Sequence, residues 1–232
     1  PNRSDVFVAG RSFPVPSINF TGITADFVNL RALAQSGGQL FAGSGSQGYR
    51  VVFLTDDTYQ VYRVTSLRSI PSGCSSSQTG WGTWSVNSDV LIGTYSNPVN
   101  GIMYFEDHVW AEGQIDSARV TLVAASSTTS KQESITVNND LLYTNYDGQD
   151  VVSLIAEYNV NAGLYSEDDL RIDAALIANS GRVGRYTYSQ SSCGSSRIRN
   201  TLILYGMIGS YQRYGFTYTS GGVFSNGYIN RY

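Results

Sequence analysis

The only histidine of the chain, His108, sits in "FEDHVWAEG" beside Glu106, Asp107 and Glu112. A histidine flanked by carboxylates has the makings of a general base. No G-x-S-x-G or comparable nucleophile signature accompanies it, so it reads as a surface strand residue. Carboxylates cluster again as Asp147 and Asp150 in "NYDGQD", and as Glu167, Asp168 and Asp169 before "LRIDAALIA". Two carboxyl groups roughly 5–10 Å apart can cleave a glycosidic bond. Turn carboxylates more often cap turns or bind Ca²⁺ weakly. In "LRIDA", strand alternation points Leu170, Ile172 and Ala174 one way and Arg171 and Asp173 the other. That predicts an exposed Arg171–Asp173 pair worth about 0–1 kcal/mol. A catalytic or cation-binding Asp173 is the alternative. Two cysteines and one histidine without close spacing do not make a metal site. The reading is therefore a non-enzyme, with no catalytic residue, cofactor or metal assigned.

The last quarter of the chain carries a different chemistry. All 18 acidic residues lie at or before Asp173, whereas six arginines and eight tyrosines follow it. Arginine neutralises phosphate or other acids, and aromatic rings stack on bases or sugars. Arg182, Arg185, Tyr186, Tyr188, Arg197, Arg199, Arg213 and Tyr214 are the candidate anionic-polymer contacts, with DNA or an acidic glycan as partner. Two alternatives stand beside this. The tyrosines are cross-strand packing, or the basic end docks onto the acidic 133–173 segment of the same or another subunit.

The elements that must position these residues are mostly strands. Gly (24) and Tyr (17) are abundant among the 232 residues, only 14% are charged, and a single lysine, Lys131, occurs. That composition favours β structure with many turns. No run of about 18 apolar residues is present, so nothing inserts directly into a membrane. The chain starts at Pro1 without a methionine, as an excised piece would. Cys74 and Cys193 both lie in Ser/Gly-rich loops. They read as a disulfide in an oxidising compartment, against two unrelated exposed thiols.

"TADFVNLRALAQSGG" predicts a helix, with Thr24 as N-cap, Phe27, Leu30, Leu33 and Ala34 on one face, and Gly37-Gly38 as its stop. "YRVVFLTDDTYQVYRVTSL" predicts a β-hairpin turning at "TDDT". Residues 21–100 thus read as an α+β insertion. It interrupts a domain formed by 1–20 and 101–232, where "SDVFVAG" is nearly copied by "EDHVWAEG". In that domain short Leu/Ile/Val strands recur, "SLIAEYNV" and "ALIANSGRV" placing Leu154 against Leu176. The fold class expected is mainly β, an irregular parallel β-solenoid. An antiparallel sandwich is the rival.

The run "SITVNNDLLYTNYDGQDVVSLIAEYNVNAG…SEDDLRIDAALIANSGRVGRY…NTLILYGMIGSYQRYGF" resembles the β-solenoid ectodomains of PilX-type, minor-pilin-like bacterial surface proteins. "ITVNNDLLYT", "LRIDAALIA" and "GRVGRY" carry most of the likeness. The resemblance implies an extracellular, pilus-associated structural or adhesion module without assigned catalytic residues. It implies self-association or assembly with other pilin-like subunits through an N-terminal hydrophobic helix, a segment absent from these 232 residues. Competence-associated minor pilins of this type imply DNA binding at a pilus tip.

Overall fold

The structure is a computed structural model and describes residues 20–126, 132–189 and 191–232. The "SDVFVAG" near-copy lies outside them. Helix α1 spans Phe20–Gly37, so it begins four residues before the expected cap at Thr24 and ends where Gly37-Gly38 predict. Sixteen strands follow in one sheet. The first four are β1 (Gln39–Phe41), β2 (Gly48–Phe53), β3 (Thr58–Leu67) and β4 (Val86–Ser96). Next come β5 (Ile102–Phe105), β6 (Val109–Ile115), β7 (Arg119–Ala124), β8 (Ile135–Thr136), β9 (Leu141–Tyr143) and β10 (Val151–Ala156). The last six are β11 (Val160–Ala162), β12 (Asp169–Ala178), β13 (Val183–Arg185), β14 (Ile198–Ser210), β15 (Thr217–Ser220) and β16 (Val223–Arg231).

The sheet is largely parallel. Along one flank β1, β5, β7, β10, β12 and β14 lie side by side in that order. Met103 pairs with Leu122, Leu122 with Leu154, and Leu154 with Leu176. The Leu154–Leu176 correspondence read from the sequence is thus a true register pair. All four side chains are buried in one core. A second flank stacks Val109, Ile135, Val160 and Val183 through β6, β8, β11 and β13. Like sits on like because each strand buries one face only against its neighbours in the same core.

Glycine marks the corners of this stack. Gly113 has φ +106°, and a Cβ there would collide with the Phe53 carbonyl of the adjacent strand. Only a residue without Cβ satisfies both demands.

The boundary expected at residue 100 is crossed by the sheet. Strands β1 and β2, from the supposed insertion, pair in parallel with β5 and β6. Of the strands in the 21–100 segment only β3 and β4 leave the stack, as an antiparallel arm built on the hairpin at residues 54–57; near the C-terminus β15 likewise pairs only β16, antiparallel. Helix α1 lies on the outer side of the first flank, where Phe27 and Ala34 cover Tyr104, Val123 and Ala125. No helix among the described residues is long and apolar enough to cross a membrane.

Asp173 corrects the reading of an exposed pair. The partner is right, since Arg171 Nε donates to Asp173 Oδ1 at 2.9 Å. The burial is not: Asp173 is 0% exposed. Its Oδ2 accepts from the Tyr143 backbone N–H at 3.1 Å and from the Tyr146 hydroxyl at 2.6 Å. Tyr146 and Arg171 roof the carboxylate, so facing away from the core does not mean facing water. Asp173→Ala is expected to lower stability by about 2–4 kcal/mol, because the three donors that converge on the buried carboxylate lose their acceptor and the buried side-chain volume is left empty. Urea unfolding measures it, and a change within the ~1 kcal/mol of an exposed pair would restore the sequence reading.

Candidate basic groove

The disulfide expected from the two loop cysteines is present, joining Cys74 to Cys193 across 119 residues of sequence. It pins the Ser/Gly-rich segment between β3 and β4 onto the two short 3-10 turns at Ser191–Cys193 and Ser195–Arg197. Cys74, Leu164, Tyr186, Tyr188 and Cys193 form a separate small core beneath it. That lid decides which candidate contacts can meet a ligand.

Three of the eight candidates are inside. Arg185 is 0% exposed. Its Nη2 donates to the carbonyls of Leu164 (3.0 Å) and Ser196 (2.7 Å), and its Nη1 to that of Arg197 (3.0 Å). The guanidinium also lies 4.8 Å from the Tyr188 ring centroid. Converging carbonyls replace water around the charge, while burial lowers its pKa to about 10. The buried Tyr186 hydroxyl accepts from Asn159 Nδ2 at 3.1 Å. Tyr188 donates to the Gly82 carbonyl at 2.7 Å. Arg185, Tyr186 and Tyr188 are therefore structural, because the lid covers the outer side of their strand.

Arg197 and Arg199 are half-buried and each already donates to a carbonyl, although the buried Arg199 Nε meets no acceptor among the described residues. Arg197 Nη1 donates to Ser225 O at 2.8 Å, and Arg199 Nη2 to Leu164 O at 3.1 Å. Arg182, Arg213 and Tyr214 come together instead. With Gln78, Gln212 and Tyr218 they line an open groove of about 460 Å³ that has no carboxylate in its wall. Gln78 organises one side. Its Oε1 accepts from Arg182 Nη2 at 2.8 Å and from the Thr187 backbone N–H at 2.7 Å. Arg182 also sits over the Tyr186 ring at 4.8 Å. Arg213 is exposed, and among the described residues its guanidinium meets no acceptor.

Gln78 and Gln212 were not legible as site residues. Glutamine carries no signal by itself. The one available clue was the Cys74–Cys193 bridge, which forces the Gln78 loop to the basic end of the chain.

The other chemistry-bearing residues disperse. His108 lies in the connection before β6, half-buried rather than on a surface strand, edge-on to Trp84 with centroids 4.9 Å apart. Its Nδ1 is 3.1 Å from Glu133 Oε2 and accepts from the Ser134 backbone N–H. Glu106 holds Arg31 at 2.6 Å, and Asp107 Oδ2 accepts from Ser44. Asp147 and Asp150 cap their own turn through the backbone N–H groups of Gln149 and Asn145. Asp169 accepts from Asn200 Nδ2 at 2.6 Å. Among the described residues no group of three His, Cys, Asp or Glu is placed to hold a metal ion. Comparison of the chain with protein-family models, curated proteins and solved structures finds no match.

Proposed function

We propose that the chain is a non-enzymatic extracellular binding module, a parallel β-solenoid whose C-terminal coil holds the acidic groups of a glycan. The coil reading is supported by strands that return in parallel to the same two flanks, with like residues stacked. The binding reading rests on one observation: Arg213, without an acceptor among the described residues, shares an acid-free groove with Arg182. Guanidinium groups pair with carboxylate or sulfate in a bidentate fork. Gln212 Nε2 donates to the Ser180 carbonyl, which leaves its amide oxygen to accept from a sugar hydroxyl, whereas Gln78 and Thr217 are spent on Arg182, Thr187 and the Tyr228 carbonyl. Surface or pilus association, implied by the minor-pilin resemblance, belongs to the same proposal, and the disulfide is compatible with an oxidising compartment.

Nucleic acid is the weaker partner. A protein held to duplex DNA by electrostatics alone typically makes about 6–10 phosphate contacts. The groove offers two arginines, on a chain of net charge −3. Equilibrium binding to polygalacturonate, heparin and single-stranded DNA tests this. The Arg182→Ala/Arg213→Ala double variant is expected to bind the acidic glycans at least tenfold more weakly. Equal binding by variant and wild type, or tighter binding to DNA, would overturn the reading.

A second reading, self-association, is favoured by the open end of the stack. Strand β16 pairs β14 over Ile198–Leu202. Beyond Leu204 no described strand covers the outer edge of β14, and Tyr205 and Met207 are about half exposed there. Ala174, Leu176 and Leu204 open into an adjoining cavity of about 530 Å³. An unpaired edge beside apolar surface invites a strand from a second copy. Concentration-dependent light scattering is the expected result, and a strict monomer at high concentration contradicts it.

A further inference from the structure

A second cavity, of about 130 Å³, lies where the base of the β3–β4 arm meets the turn between β8 and β9. It shares no residue with the basic groove. Its floor is fixed. Trp110 is buried, and its Nε1 donates to the Trp84 carbonyl at 2.9 Å. Asn138 Nδ2 donates to the same carbonyl at 2.7 Å, and its Oδ1 accepts from the Gly163 backbone N–H at 2.7 Å.

Two arginines line the cavity and differ in one respect. Arg50 is fully engaged: Nε meets Asp89 Oδ2, Nη1 meets Glu112 Oε1 at 2.6 Å, and the guanidinium lies 4.0 Å from the Tyr62 ring centroid. Asn139 Nδ2 donates to the other Glu112 oxygen. Arg68 is anchored only through its backbone. Its N–H donates to Ser85 O at 2.8 Å, and its carbonyl accepts from Thr83 Oγ1 at 2.7 Å. Its guanidinium stacks over Tyr165 at 5.1 Å. Among the described residues no acceptor meets it.

We infer that this cavity binds a single polyhydroxylated ring carrying one carboxylate, a hexuronate. Arg68 supplies the bidentate donor that a carboxylate needs. Trp110 supplies aromatic wall for the apolar side of a sugar ring, and Tyr165 backs the Arg68 guanidinium. Asn139 and Glu112 supply acceptors for ring hydroxyls. The volume is well below the roughly 300–1,000 Å³ of drug-sized sites, so one ring is the limit. Arg50 shares its one charge between Asp89 and Glu112, and the residual negative charge opposes a doubly charged phosphate more than a singly charged carboxylate. A free hexuronate and the terminal residue of an acidic glycan share this chemistry.

Tryptophan fluorescence with galacturonate, its methyl ester, galactose, inorganic phosphate and digalacturonate tests the inference. Wild-type protein is expected to give a saturable change with galacturonate. The methyl ester, galactose and phosphate are expected to bind at least tenfold more weakly. Arg68→Gln, an exposed substitution whose folding is checked by circular dichroism, is expected to lose at least tenfold in affinity. The Arg182→Ala/Arg213→Ala groove variant is expected to match wild type, which keeps this result separate from the groove reading. Digalacturonate binding tighter than the free acid assigns the site to a chain end, and equal affinity assigns it to the free acid. No saturable change, equal response to the methyl ester, or undiminished binding by Arg68→Gln overturns it.

Discussion

Replacing Cys74 and Cys193 together by alanine is expected to lower the unfolding free energy by about 4–5 kcal/mol. The bridge closes a span of 119 residues. On the chain-entropy account a loop of that order restricts the unfolded state by about 4.7 kcal/mol. Stability of a domain is typically only 5–15 kcal/mol, so such a loss removes a large share of it. Both sulfurs belong to the small core beneath the lid, so breaking the bridge also loosens Trp81, Trp84 and Tyr188 around them. The loss extends to binding, because Gln78 rides on the pinned loop and holds Arg182 in the groove. Urea unfolding of the double variant measures the first effect, and acidic-glycan affinity the second. A loss under about 1 kcal/mol would mean that the lid is held by packing alone, and the entropic argument would fail.

The second large effect is alkaline unfolding. Burial raises Tyr104, Tyr186 and Tyr228 to about 12, with nearby Glu157 adding to the rise at Tyr104. Burial likewise raises Tyr59 and Tyr188. The folded protein therefore keeps these phenolic protons where the unfolded chain, titrating near pH 10, releases them. Their contribution is complete below about pH 10 and is lost as pH rises through the folded values. Arg185 acts in the opposite sense, since its lowered pKa makes burial cheaper once it loses its proton. At about 1.4 kcal/mol per unit, the three tyrosines at about 12 alone lose roughly 7 kcal/mol by pH 12, and Arg185 returns somewhat over a third of that. Unfolding between pH 10 and 12 is the expected result. It is followed by phenolate absorbance rising in a cooperative step with the loss of β-sheet circular dichroism. A gradual titration with the fold intact would contradict the burial of these rings.

Sequence patterns were most legible where neighbours in the chain set the geometry. The turn at 54–57 was readable because Asp56 and Asp57 are turn formers. Asp56 Oδ1 accepts from the Thr58 N–H, and Asp57 adopts φ +60°. The Leu154–Leu176 register was readable because stacked strands repeat their inward residues. The side of each strand was also readable, since Arg171 and Asp173 do share a face.

What covers that face was not readable. Periodicity separates core-facing from outward-facing positions, but a second layer can bury the outward ones. Arg185 and Tyr188 lie under a lid built from residues 68–84 and 191–197, far away in sequence. Asp173 lies under Tyr146, which reaches it from the segment between β9 and β10. Buried charge is disfavoured unless several partners converge, and partners from remote loops leave no local trace. For the same reason the eight Arg and Tyr candidates divided into three buried, two half-buried and three that line a groove completed by Gln78 and Gln212.

The most direct test of the account follows backbone amide shifts in isotope-labelled protein as an oligogalacturonate is added. Shifts confined to Gln78, Arg182 and the 212–219 segment at the groove and to Arg68, Asn139 and Tyr165 at the small cavity, with the oligosaccharide left intact, are the predicted outcome. Shifts centred on Glu167–Asp173 with release of shorter sugars, or no shifts at all, would contradict it.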